Sequence, residues 1–183
     1  MIFSPGGRAG RMFFPALHTL FPGDNMKRKR ILTYVFWVLL TEAVGALAGF
    51  LTRDGMELYK TQVLKPPLSP PAIVFPIVWA VLYALMGIGI ARVVLSARSD
   101  ERTDAIQVYL LQLAVNFTWS IFFFHLRTYG GALIVLLLLL ALIIWMVLRV
   151  RRVDRPAAWM QLPYAVWAAF AAYLNAGVWL LNR

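Results

Sequence analysis

The 183-residue sequence contains no cysteine, two histidines and eight acidic residues against eighteen lysines and arginines. The first absence excludes disulfides, thiol chemistry and cysteine-held metals, and leaves the redox compartment open. His18 and His125 each stand alone. No HExxH, paired-carboxylate, nucleophile–base, phosphate-loop or dinucleotide pattern occurs. No catalytic residue, metal ligand or bound cofactor is therefore assigned, and a conventional hydrolase or redox enzyme is not expected. Charge is scarce as well: 14% of residues, where a soluble domain carries about 25%.

Apolar residues fill the space so left, at 61% of the chain with a mean hydropathy of +0.71. One core of this size cannot bury that much, so lipid must solvate part of it. The formal charge of +10 does not indicate nucleic acid, because the basic residues fall between apolar stretches. Anionic lipid headgroups are the expected counter-charge.

Five stretches are long enough to cross a bilayer as helices: about 31–51, 71–95, 106–126, 130–148 and 157–181. The run Ala132 to Leu148 shows no alternation of polarity, which excludes a barrel. The fold class is thus an all-α membrane protein, a bundle of five transmembrane helices in one domain, residues 27–183. Residues 1–26 lack the apolar run of a signal peptide and read as a disordered or wrongly assigned extension.

Lysine and arginine sort unevenly between the two sides, with Arg53, Lys60, Lys65, Arg127 and Arg183 on the poorer one. Lys27 to Arg30 precede the first span, Arg98 and Arg102 follow the second, and Arg149, Arg151, Arg152 and Arg155 join the fourth and fifth. The positive-inside bias places the N-terminus in the cytoplasm. Which membrane hosts the chain is left open. The longest connection, 52–70, is rich in proline and is expected to form an ordered lid. Short links elsewhere predict sequential spans packed as antiparallel neighbours.

Span three carries Gln112, Asn116, Trp119 and Phe123 at spacings of four, three and four, which keeps them on one face. Amides do not face lipid, so this face turns inward, either to bridge helices or to meet a ligand. Span two aligns Phe75, Trp79, Tyr83 and Met86, and span five aligns Pro163, Trp167, Ala171 and Leu174. Trp159 and Trp179 sit at span ends as interfacial anchors. Trp79 and Trp167 do not, and two mid-span indoles beside buried amides would suit a flat, conjugated ligand with polar edges. Glu42 is the one carboxylate within a span, with a structural or pocket-edge role favoured over transport. Gly45 and Gly49 form a GxxxG pattern that permits close approach within the bundle or between protomers.

From Glu42 to Asn182 the chain resembles the TspO/MBR family of tryptophan-rich sensory and translocator proteins. The motifs that carry the resemblance run in order. They are Tyr59-x4-Leu64-Lys65-Pro66; Pro70-Pro71-x3-Phe75-Pro76-x2-Trp79-x2-Leu82-Tyr83-x2-Met86-Gly87; Gln112-Leu113-x2-Asn116-x2-Trp119; and Leu162-Pro163-Tyr164-x2-Trp167-x2-Phe170-Ala171-x2-Leu174-Asn175. The resemblance implies a five-helix receptor, commonly a homodimer, that binds tetrapyrroles such as protoporphyrin IX or haem in a pocket capped by the first long loop. Light-dependent porphyrin degradation and transport of porphyrin or lipid are the alternatives it implies. Tyr59, Pro66, Trp79, Tyr83, Gln112, Asn116, Trp119, Trp167, Ala171 and Leu174 are the expected ligand-binding residues. Departures are Leu58 and Ile73 where the family often has Trp. Gly177 and Leu180 replace the Tyr and Arg of the sterol motif, which argues against sterol handling.

Overall fold

Long apolar runs broken by short polar links leave the backbone one way to satisfy itself in lipid, and the chain takes it. The computed structural model describes residues 22–183, with side-chain surroundings from residue 25 onward. Among these residues there are five helices and no strand: α1 Pro22–Gln62, α2 Val74–Leu95, α3 Asp100–Ser120, α4 Tyr129–Val153 and α5 Arg155–Leu181. Each is long and apolar enough to cross a membrane. A single π-helical turn, Ile121–His125, continues α3.

Two expected boundaries differ. The 1–26 extension overlaps α1, which is already helical at Pro22; the remainder of that segment lies outside the described residues. At its other end α1 runs eleven residues beyond Leu51, through Gln62. Arg53 and Asp54 end the apolar run but not the helix, because Met56-Glu57-Leu58-Tyr59-Lys60 are mostly good helix formers. Lys60 also pairs with Glu57 one turn back at 3.0 Å. The connection to α2 is therefore residues 63–73, and the first half of the expected lid is helix.

Around the bundle the order is α1, α2, α5, α4, α3, with α3 closing back on α1. Consecutive helices are neighbours except α2 and α3, which touch only slightly although four residues join them. Two features send α2 to α5 instead. Arg92 at the end of α2 makes a two-pronged pair with Asp154, Nε to Oδ1 at 3.2 Å and an Nη to Oδ2 at 3.0 Å. Asp154 is also the N-cap of α5, accepting from Ala157 N–H at 2.7 Å. A turn earlier, Gly89 lies against Gln161 and Ala157 of α5.

The core is unevenly shared. Met86, Ile90, Tyr109, Leu139, Ile143, Met146 and Val178 are buried on α2 to α5, whereas among the described residues of α1 only Thr41, Ala48 and Thr52 are. Gly87 allows a close backbone approach of α1 to α2: a Cβ there would sit 2.6 Å from Val38 Cα. Further along, Gly45 admits the Tyr83 ring of α2, and Ala48, Gly49 and Thr52 are too small to fill the space beside the aromatic residues of α2 and α3. That shortfall of volume is the origin of the cavity. Outward, Leu39, Phe50, Ile134, Leu138 and Val166 are exposed, a surface that only lipid can solvate.

Candidate functional site

A cavity of about 1060 Å³ opens between α1, α2, the end of α3 and α5. One wall is α1, from Glu42 to Lys60, and the opposite wall is aromatic. Tyr83 and Trp79 stack at 5.3 Å and 29°. Trp119 comes next at 6.3 Å from Trp79, and Phe123 at 5.5 Å from Trp119. Phe124 lies 4.8 Å from Phe123, and Tyr59 meets both phenylalanines. The rings form a continuous surface of roughly parallel and edge-on faces, suited to a flat conjugated partner.

The π-helical turn explains how Phe123 and Phe124 both reach the cavity. Leu126 N–H bonds to the Ile121 carbonyl at 2.9 Å, five residues back. The extra residue in the turn brings two adjacent side chains toward one side, a device found often at functional sites.

Of the ten expected binding residues, Tyr59, Trp79, Tyr83, Trp119, Ala171 and Leu174 line this cavity. The other four do not. Gln112 and Asn116 are sealed at 0% and 1% exposure, and they bridge helices. Tyr83 Oη donates to Asn116 Oδ1 at 2.9 Å, Asn116 Nδ2 donates to Tyr164 Oη at 2.7 Å, and Tyr164 Oη donates to Gln112 Oε1 at 3.0 Å. This chain of bonds joins α2, α3 and α5, so the amides act on the cavity through Tyr83 and through Tyr164, whose ring packs on Trp79 at 6.1 Å. Such interhelical bonds contribute about 0.6 kcal/mol each on average in membranes.

Trp167 is the third correction. It packs edge-on against Phe75 at 5.9 Å and borders an outward groove between α2 and α5 with Ile77, Val81 and Val166. Phe75 lines the cavity, so this indole stands one ring behind the wall. Its buried Nε1 finds no acceptor among the described residues. Pro66, the fourth, packs on Gly177 of α5, where any Cβ would collide with the proline ring. That contact belongs to a latch. Leu64 N–H donates to Asn182 Oδ1 at 3.0 Å, and Asn182 Nδ2 donates back to Leu64 O at 2.9 Å. Nearby, Tyr173 Oη donates to Pro67 O at 2.9 Å. The 63–73 connection is thus tied to the end of α5.

Several lining residues were not among the expected ones: Thr52, Arg53, Met56, Phe75, Phe124 and Lys65. Glu42 faces the cavity, in keeping with a pocket-edge position. Gly45 lies against the Tyr83 ring within the bundle, and Gly49 has nothing within 4 Å. The two glycines of the GxxxG pattern thus act inside the chain, Gly45 by admitting the Tyr83 ring and Gly49 by leaving space open. Trp119 is oriented by Asn175, which accepts its indole N–H at 3.2 Å and itself donates to Tyr129 O at 2.8 Å.

The TspO/MBR family profile matches residues 37–180. The chain is 33% identical over 155 residues to the tryptophan-rich protein TspO of Chlorobaculum tepidum, covering 84% of this chain and 98% of that one. It is 34% identical over 152 residues to the translocator protein of Bos taurus, covering 81% and 89%. With the tryptophan-rich sensory protein of Cereibacter sphaeroides it shares 32% over 149 residues, covering 80% and 92%.

Proposed function

The chain belongs to the TspO/MBR family, and from that premise we propose that it is a membrane receptor that binds a tetrapyrrole between its helices. The observation that carries the reading is the aromatic run Tyr83–Trp79–Trp119–Phe123 along a cavity of about 1060 Å³. That volume is at the upper end of small-molecule sites, about 300–1,000 Å³. Stacking on the rings supplies affinity, and the small residues of α1 leave room for a broad, flat body. The basic N-terminal flank, Lys27 to Arg30, supports a cytoplasmic N-terminus. The Cereibacter sphaeroides relative is named a sensory protein, which favours sensing as the use of this site.

Titrating the purified protein with protoporphyrin IX and following tryptophan fluorescence tests the proposal. Saturable quenching is expected. Trp79→Ala should weaken binding about tenfold, the loss of one stacking partner and its buried area. Trp167→Ala, one ring removed, should change it less than threefold. Absence of saturable quenching by the wild type overturns the reading. Under illumination, bleaching of the bound porphyrin faster than the free compound would move the protein from receptor to photodegrading enzyme.

A further inference from the structure

The cavity is not electrically uniform along its length. Glu42 lies at the end nearest the middle of α1, and Arg53, Lys60 and Lys65, with Glu57 the one carboxylate among them, lie toward the 63–73 connection. Glu42 and Lys60 are eighteen residues apart, roughly 27 Å of helix. The three cations differ in how their charge is spent. Lys60 is paired with Glu57 at 3.0 Å. Arg53 leans on Asp54 at 3.5 Å and over the Phe50 ring. Lys65 has no carboxylate partner among the described residues. Its Nζ donates to the Lys60 carbonyl at 2.9 Å and lies 5.3 Å from the centre of the Tyr59 ring. An ammonium has three donors, so these contacts hold Lys65 in place without neutralising it. The backbone that carries it is itself held by the bonds between Leu64 and Asn182.

We propose that Lys65 is the anion subsite of the cavity and receives a carboxylate on the edge of the bound ligand. The ligand then lies with its acidic edge at the 63–73 connection and its apolar edge toward Trp79 and Tyr83. The inference rests on the tetrapyrrole reading and narrows it. The preferred class is flat conjugated acids whose carboxyl groups share one edge, as the two propionates of protoporphyrin IX do. Glu42 works by exclusion, since the reversed pose would bring carboxyl groups together with no cation between them. A ligand whose acids were removed would keep the stacking and lose the orientation.

Protoporphyrin IX and its dimethyl ester, titrated against wild type, Lys65→Gln and Lys65→Arg in phosphatidylcholine nanodiscs, test this. Wild type should bind the diacid about tenfold more tightly than the diester, the scale of one charge-assisted hydrogen bond. Lys65→Gln should abolish that preference by weakening the diacid alone, and Lys65→Arg should retain it. Equal binding of acid and ester by wild type overturns the proposal without any variant. So does an unchanged preference in Lys65→Gln. The titrations are repeated with phosphatidylserine added. A Lys65→Gln effect seen only there assigns the lysine to a lipid headgroup and also overturns it. Failure of both porphyrins to bind wild type removes the receptor reading itself, a separate result.

Discussion

Tyr83 divides the bundle into a hollow region and a solid one. Its ring is part of the cavity wall, while its hydroxyl is spent on Asn116. Beyond that hydroxyl, Asn116, Tyr164 and Gln112 are bonded in series, and Met86, Ile90, Leu139 and Ile143 fill the interior. On the near side α1 presents glycine and alanine, and the space they leave is unfilled. The same two helices, α1 and α2, take part in both regions. What separates them is side-chain volume on α1 and where the polar groups find partners. A membrane bundle can therefore keep a rigid frame and an open site a few residues apart on one helix.

The largest effect is expected where the solid region packs one helix backbone against another. Gly87→Ala forces a methyl into the Val38 backbone of α1 and should destabilise the protein by about 3 kcal/mol. A thermal melt in detergent measures it, and a melting temperature equal to wild type would show that α1 and α2 part easily there. Next, Asn116→Ala strips Tyr83 and Tyr164 of their shared partner and should destabilise by about 2 kcal/mol. Any loss of porphyrin affinity should be smaller than its loss of stability. The reverse ranking would make the amide a ligand contact.

In the hollow region the expected sign is opposite. A Cβ at Gly49 meets nothing within 4 Å and points into open space, so in Gly49→Leu the melting temperature should hold while protoporphyrin IX affinity falls about tenfold, as one stacking contact is displaced. Lost stability with intact binding would mean that the space is not the binding site. The smallest effect is expected at the latch. Asn182→Ala removes two exposed hydrogen bonds to Leu64 and should raise porphyrin dissociation about threefold, on the scale of under 1 kcal/mol. Stopped-flow fluorescence distinguishes this from a change in equilibrium quenching alone.

Much of the frame was legible in the sequence, because hydropathy reports the solvent each helix must face. The five spans emerge directly from runs such as Ala132 to Leu148. The inward face of α3 was legible too, since Gln112 and Asn116 cannot face lipid. Their role as bridges was not resolved, because spacing names a face and leaves its neighbour open. Trp167 shows the same limit. It shares a helix side with Ala171 and Leu174, yet Phe75 of another helix stands between it and the cavity. The extension of α1 past Arg53 and Asp54 was hidden because charge ends an apolar run without ending a helix. The pairing of α2 with α5 depends on Asp154 meeting Arg92, a contact across 62 positions that no local pattern encodes.

The π-helical turn at Ile121–His125 makes the length of the chain itself a tuning element. Deleting one residue there would restore ordinary helical geometry and swing the residues after it by about 100°. Phe124 would leave the site while Asn116 and the rest of α3 stayed in register. A one-residue change in length would thus reshape the space on offer, with Gln112, Asn116 and the other residues of α3 ahead of the turn left as they were.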